Sequence, residues 1–283
     1  MMQTLAQMPS AETLYLKAAT TIFRKPKGKP VLPALALELK DVAIDPEHLA
    51  EYRSVCGFAE GEFLPISFPH VVAGALHLQL MTSPEFPLPL LGLVHIRNRC
   101  TQTRGLKADE RFDVLVRLGD AREVRQGLEF DFLTEFSSQG SPVWSETSTI
   151  LYRMPGPKGP AARPAAPLAQ LADYQTFEVP GDIGRRYAKV GRDYNPIHLA
   201  PWTAKLFGFP RHIAHGMWSV ARCAATLEAQ LGGRVPAELD VQFKQPLLLP
   251  ARVTLKSRGG AAGLDYALLS RNSDKVHLTG SLR

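Results

Sequence analysis

The sequence predicts an α+β protein of two tandem units, each an antiparallel sheet packed against one buried helix. Three observations carry this. Strand-like segments come in runs after a helix-length apolar segment instead of alternating with helices, which argues for an antiparallel sheet with the helix on one face. The same order of elements recurs on either side of a proline-rich stretch at 155–168. Tyr52-x-x-Val55 and Tyr187-x-x-Val190 follow matching acidic caps, Asp45 and Asp182, as a diverged internal duplication would leave them.

The elements follow in order. Ser10 caps a short helix whose apolar stripe is Leu14, Leu16, Ala18, Ala19, Ile22 and Phe23. A basic, proline-punctuated stretch at 24–30 comes next, and an extension of this kind packs on its own domain, the alternative being a membrane surface. Leu35, Leu37 and Leu39, spaced by two, share one face of a strand. Asp45-Pro46 supplies an N-cap and first helical residue for a helix through Tyr52 and Val55. Residues 70–81 (HVVAGALHLQLM) form a buried helix, closed off by the PEFPLP segment at 84–89. Strands are predicted at 91–97, 111–118, 128–137 and 145–153. Beyond the proline-rich stretch, which suits an extended linker, a short strand at 177–179 precedes a helix capped by Asp182. A long helix over 217–231 and strands at 239–249, 253–257, 266–270 and 276–281 complete the chain. The expected domains are therefore 1–154 and 169–283, joined by the linker.

Composition narrows the function. The chain has 283 residues, enough for two modest domains, and is 45% hydrophobic and 21% charged, as ordinary globular proteins are. A formal charge of +6 favours anionic partners: phosphate-bearing cofactors, nucleic acid or membrane surfaces. Nucleic acid is not expected, because the basic residues are dispersed and no recognition motif is present. Three cysteines without a C-x-x-C neither frame a disulfide scaffold nor make a zinc site, which points to a reducing compartment, the cytoplasm. No apolar run approaches the roughly 20 residues that cross a bilayer, and the first 29 residues lack the pattern of a secretory signal.

The stretch at 187–217 concentrates chemistry. Asp193, Asn195, Pro196 and His198 fall in the order D-x-N-P-x-H, and His215-Gly216-Met217 follows after a helix-length interval. An acid, a carboxamide and an imidazole this close can hold a water and exchange protons with it. Asn195 has both a donor and an acceptor with which to fix the loop, and Pro196 stiffens it. As a structural element alone, D-x-N-P is also a turn and an N-cap ahead of a helix. His215 reads equally as support for the site or as a buried structural histidine, and Met217 and Trp218 as core or tunnel lining. The histidines lack metal-ligand spacing, so no metal is expected. No G-x-G-x-x-G or P-loop is present, so no nucleotide cofactor is expected either.

Tyr187, Gly191, Asp193, Asn195, Pro196, Ile197, His198, Ala204, Gly208, Phe209, His215, Gly216 and Met217 together resemble the signature of the MaoC-like dehydratases, which include the (R)-specific type 2 enoyl-CoA hydratases of hotdog fold. One position departs: the family commonly has glycine directly before the aspartate, and here Arg192 separates Gly191 from Asp193. The resemblance implies a double hotdog, two antiparallel sheets each wrapped around a long central helix in one pseudo-dimeric chain. It implies reversible hydration of trans-2-enoyl thioesters, with Asp193 as base towards water, His198 as its partner and proton donor, and the Gly216 amide facing the thioester oxygen. Asn195, His215 and Met217 would line the substrate site. Lys244, in a segment (VQFKQP, 241–246) resembling a strand that flanks the family's ligand tunnel, would meet a phosphate of coenzyme A or of a carrier arm, or else be a solvated lysine. The partner would be a small acyl thioester or an acyl carrier protein, with a homodimer of such chains also open. After Tyr52 and Val55 the first half has CGFAEGE (56–62) in place of the motif, and Glu60 and Glu62 do not replace an Asp-His pair. It is expected to be catalytically inactive and to shape the acyl pocket. A hotdog thioesterase and a non-catalytic thioester-binding module are the competing readings.

Overall fold

Asp45 accepts hydrogen bonds from the amides of Glu47 at 3.0 Å and His48 at 3.4 Å, with Pro46 as first helical residue, and so opens α2 (Pro46–Cys56) where the sequence places it. The computed structural model describes residues 2–24, 26, 28–90, 92–154, 168–260, 263–272 and 275–283. The proline-rich linker, Leu168 apart, lies outside the described residues. The chain forms two compact units that are not consecutive in sequence: Met1–Ile44, Pro69–Asn98 and Asp109–Ala162 make the first, and Asp45–Phe68, Arg99–Ala108 and Arg163–Arg283 the second. Segments 45–68 and 99–108, expected with the first half, thus cluster with the second. The reason is the contacts of α2 with residues late in the chain, among them Tyr187 beside the buried Tyr52 ring, Val190 at His48 and Trp218 at Val55.

In the first unit the strands are β1 (Met2–Leu5), β2 (Ala36–Ala43), β3 (Leu93–Gln102), β4 (Arg111–Val124), β5 (Gly127–Ser138) and β6 (Ser141–Arg153), ordered β1-β2-β4-β5-β6 with the start of β3 beyond β6. Phe112, Val114, Val116 and Leu118 alternate inward along β4, and Val114 faces Phe136 of β5 across the ladder. Phe136 stands edge-on to Phe112 at 5.7 Å and to Trp144 at 5.3 Å. β1 is not foreseen by the sequence reading and pairs parallel to β2, an exception in an otherwise antiparallel sheet. The buried helix is α3 (Phe68–Thr82), apolar around most of its circumference. Helix α1 (Ala11–Thr20), capped by Ser10, sets Leu14 and Ala18 on Ala75 and Leu78 of α3. Leu16 and Phe23, counted in its apolar stripe, are exposed.

The second unit contains β7 (Ala172–Val179), β8 (Glu238–Phe243), β9 (Ala251–Gly260), β10 (Gly263–Ser270) and β11 (Val276–Leu282), in the antiparallel order β8-β11-β10-β9-β7. The end of β3 joins beyond β8 through the Gln102 amide, which donates to the Ala237 carbonyl at 2.8 Å. β8 stops at Phe243 instead of running to 249: the Lys244 and Gln245 amides both turn to the His277 carbonyl, and Pro246 has no amide to continue the ladder. The remaining helices are α4 (Ile183–Gly191), α5 (Pro201–Lys205) and α6 (Gly216–Leu227), the last buried along Met217, Trp218, Val220, Ala221, Cys223, Ala224 and Leu227. Asp182 precedes α4 but makes no side-chain cap. Helix α2 is tied to this unit by the Trp218 indole N–H donating to the Val55 carbonyl at 3.1 Å and by His48 Nε2 donating to the Val190 carbonyl at 2.6 Å. Cys56, Cys100 and Cys223 are buried and in no disulfide, and burial pushes the Cys56 and Cys223 thiols up, away from reactivity. Among the described residues, no helix is long and apolar enough to cross a membrane.

The Asp45 cap gives a direct test. Asp45→Ala removes the acceptor of two first-turn amides, and urea denaturation should show a loss of about 1 kcal/mol with the fold retained by circular dichroism.

Candidate active site

Helix α4 buries Ile183, Gly184, Tyr187, Ala188 and Val190 on one face and ends at Arg192, whose backbone is left-handed (φ 51, ψ 29). That conformation favours glycine, the residue the resemblance leads one to expect before the aspartate; this chain makes the turn with arginine. Asp193 Oδ1 then accepts from the Asn195 amide at 3.0 Å, and Asn195 Oδ1 from the Ile197 amide at 3.4 Å. The two side chains therefore do form a turn and a cap, and what they cap is a single 3₁₀ turn, Pro196–His198. The Thr203 hydroxyl of α5 clamps this turn by donating to the Pro196 carbonyl at 2.6 Å. Close approach of α4 completes it: a Cβ on Gly184 would stand 2.0 Å from the His198 carbonyl oxygen, so only glycine fits.

His198 is buried, and its Nδ1 donates to the Ile213 carbonyl at 2.9 Å, which leaves Nε2 with the lone pair. His215 stacks on it, ring centroids 3.7 Å apart and 26° from parallel, and donates from Nε2 to the Asp193 carbonyl oxygen at 2.9 Å. The Asp193 carboxylate, 44% exposed where His215 is 3%, lies 3.7 Å from the same Nε2. One ligating atom from each of Asp193, His198 and His215 falls within 4.8 Å of the others. Burial lowers His198 below the ordinary imidazole value, partly offset by the Asp193 charge and the bond to Ile213. Burial takes His215 further, down to about 3, with His198 adding to the fall. Two imidazoles in face-to-face contact cannot both be charged cheaply, and His215 is the one kept neutral. It acts through other groups: it aligns the Asp193 main chain with the His198 ring.

His215 is also the residue before α6, so the unpaired first-turn amides of that helix open beside the pair of imidazoles. At Gly216 a Cβ would come within 2.8 Å of the Phe243 ring, which covers the start of the helix. Met217 is buried next to it. Lys244 is exposed at the end of β8, its ammonium donating to the Gln242 side chain at 2.8 Å. Sequence reasoning missed Phe243 and His212. His212 is buried and donates from Nε2 to the Gly181 carbonyl at 2.6 Å; its signal was its place in the same short stretch as His215.

A second group, also missed, lies in the first unit. His70 Nδ1 is 2.6 Å from Glu146 Oε1, the Asn98 amide donates to the same oxygen at 2.6 Å, and His77 Nε2 is 2.8 Å from the Thr134 hydroxyl. Burial would raise the Glu146 carboxyl, but the His70 charge and hydrogen bond, with His77 and Asn98, outweigh it and hold Glu146 below the usual carboxylate range. Ligating atoms of His70, His77 and Glu146 also fall within 4.8 Å of one another, so among the described residues each unit holds one histidine-carboxylate group. Spacing rules did not show either, because their members come from separate elements.

Residues 162–259 match the MaoC like domain family. The chain is 34% identical over 262 residues to 3-hydroxyacyl-thioester dehydratase X of Mycobacterium tuberculosis, covering 89% of this chain and 90% of that protein. The chain belongs to the MaoC-like dehydratase family. As a MaoC-like dehydratase it is a hydro-lyase, of α+β, hotdog-type fold. The crystal structure of HtdX from M. tuberculosis superposes with a TM-score of 0.76 at 32% identity, covering 88% of this chain and 99% of that one. A MaoC-like dehydratase from Phytophthora capsici shares the fold, with a TM-score of 0.73 at 17% identity over 89% of this chain and 94% of the other.

Two predictions follow from the turn and from the stacked rings. Arg192→Gly relieves a left-handed arginine and should raise stability by about 0.5–1 kcal/mol in denaturant titration. In an NMR titration His198 should protonate below pH 6.5, and in Asp193→Asn lower still, because the carboxylate charge that favours the imidazolium is gone. A midpoint at or above 6.5 in the native protein would show that the ring is not held in its neutral form.

Proposed function

We propose that this dehydratase interconverts trans-2-enoyl and (R)-3-hydroxyacyl thioesters. The observation that carries this is the convergence of the Asp193 carboxylate and the His198 imidazole at the first turn of α6. Both groups accept the O–H bonds of one water. In hydration Asp193 takes a proton as the water oxygen bonds to C3, the proton passes to His198 Nε2, and Nε2 delivers it to C2. In dehydration His198 Nε2, neutral at rest, removes the C2 proton, and it returns by way of Asp193 to the departing hydroxyl. The negative charge that builds on the thioester oxygen meets the Gly216 amide and the positive end of α6. The steps balance in one proton and one water and need no cofactor beyond the arm that carries the acyl group. The related M. tuberculosis dehydratase, by its name, acts on 3-hydroxyacyl thioesters, and the (R) configuration follows the family resemblance.

The same reading extends to architecture: two hotdog repeats in a pseudo-dimeric chain. Each unit has one buried helix against an antiparallel sheet, and the Tyr-x-x-Val pairs sit in α2 and α4, where the Tyr52 and Tyr187 rings lie 6.4 Å apart. One site per chain follows, since the Glu146 carboxylate of the other group is fully buried and closed to substrate.

Asp193→Asn keeps the cap to the Asn195 amide and removes the base. Enoyl-CoA hydration, followed by enoyl absorbance, should fall about 10²–10⁴-fold with thioester affinity retained. His198→Ala should cost a similar factor and the double variant little more, because both act on one water. A folded Asp193→Asn with near-native rate, or release of free thiol in place of hydration, would overturn the assignment.

A further inference from the structure

Residues 183–211 carry six cations, Arg185, Arg186, Lys189, Arg192, Lys205 and Arg211, and one carboxylate, Asp193. None of the six makes an ion pair with a described residue. Elsewhere several arginines are neutralised, Arg97 and Arg122 sharing Glu129 and Arg258 and Arg283 sharing Asp265, while Arg24 and Arg53 are satisfied by backbone carbonyls. Five of the six are exposed and Arg192 is half-buried. The two helices that carry or flank five of them, α4 and α5, are tied to one support, the turn that carries His198. The Arg185 guanidinium donates to the Leu199 carbonyl just after that turn at 3.2 Å, and α5 is clamped to it through Thr203. On α5, Trp202 and Leu206 are 70% and 75% exposed and four residues apart, hence on one face.

Uncompensated like charges repel one another, and an exposed tryptophan gains nothing from water, so this face is built for something that covers it. Phosphates alone account for it poorly. The phosphates of coenzyme A would engage a few cations at one spot. Here the cations are spread over two helices, of which α4 alone, nine residues long, spans about 13 Å, and an apolar pair stands among them. An acidic helical protein surface with an apolar strip meets both features, and aromatic residues with arginine are what protein interfaces favour. We propose that the α4–α5 face is the docking surface for an acidic acyl carrier domain. Arg186, Lys189 and Lys205 receive its carboxylates, and Trp202 and Leu206 its apolar residues. The proposal rests on the thioester reading above, and it places the carrier beside the catalytic turn, where its phosphopantetheine arm needs to begin.

The test compares one enoyl group on three carriers: pantetheine, coenzyme A and a holo acyl carrier protein. Arg186→Glu/Lys189→Glu should lower kcat/KM on the carrier-protein substrate about 10- to 100-fold, chiefly through KM. Rates on the pantetheine and coenzyme A thioesters should stay within about twofold, which also shows that the variant is folded. Trp202→Ser should act in the same direction. A loss confined to, or equal on, the coenzyme A thioester assigns the cations to nucleotide phosphates and overturns the proposal, as does an equal loss on all three. Binding of holo carrier protein by calorimetry, at low and high salt, is read separately from turnover. Salt-sensitive binding lost in the charge-reversal variant supports docking even if the hydration reading fails, and no binding overturns it even if hydration is confirmed. Self-association of the native chain that Trp202→Ser abolishes, without carrier binding, assigns the face to a second copy and likewise overturns it.

Discussion

The hydrogen bond from His198 Nδ1 to the Ile213 carbonyl is the constraint on which the geometry of the site, and with it the proposed chemistry, depends. It fixes the tautomer and so decides that Nε2 is the proton-accepting atom. Its surroundings act on that state. Burial favours the neutral ring, the Asp193 charge and the bond to Ile213 partly offset that, and His215 stacks against its face. The Ile213 carbonyl is available because the Ile213 amide is itself bonded to the Ile197 carbonyl at 3.1 Å, which pins the two segments together. A short loop and the approach to α6 thus become one rigid object, as preorganised catalysis requires.

The two histidine-carboxylate groups of this chain show how burial selects function. In the second unit the acid is nearly half exposed and the imidazoles are enclosed, so the polar end of the site can be reached by water and substrate. In the first unit the arrangement is inverted: Glu146 is enclosed, and its Oε1 is held by both His70 and Asn98. A carboxylate enclosed in this way must be compensated where it stands, because an unpaired buried charge is costly. Similar residue types are therefore enclosed in one unit and open to solvent at the carboxylate in the other, the arrangement on which the proposed proton relay draws.

Much of this was legible in the linear pattern. Alternation along β4 and β5, the Asp45-Pro46 cap and the apolar α3 are local properties, encoded in residues a few positions apart. So is the 3₁₀ turn at Pro196–His198, where the turn-and-cap reading of D-x-N-P-x-H holds and the proposed catalytic reading builds on it: Asp193 and Asn195 bind backbone amides and, by doing so, aim their neighbours. What was not legible depends on partners distant in sequence. Leu16 and Phe23 belong to an apolar stripe and are left outside it because α3 covers only the Leu14 and Ala18 side of α1. The β8 strand ends early because two amides find the His277 carbonyl 32 or more residues away.

By itself the sequence determined the α+β composition, the helix starts, and the residue types that can hold a water and move its proton, because capping, periodicity and short-range motifs are written within a turn or two of chain. Only the tertiary structure decided that α2 belongs with the later half of the chain. It also decided that His215 lies against His198 instead of beside Asp193 alone, and that His70, His77 and Glu146 meet at all. Those outcomes come from burial and from hydrogen bonds between elements tens of residues apart. Their free energy depends on which surfaces are brought together, and no local pattern records that.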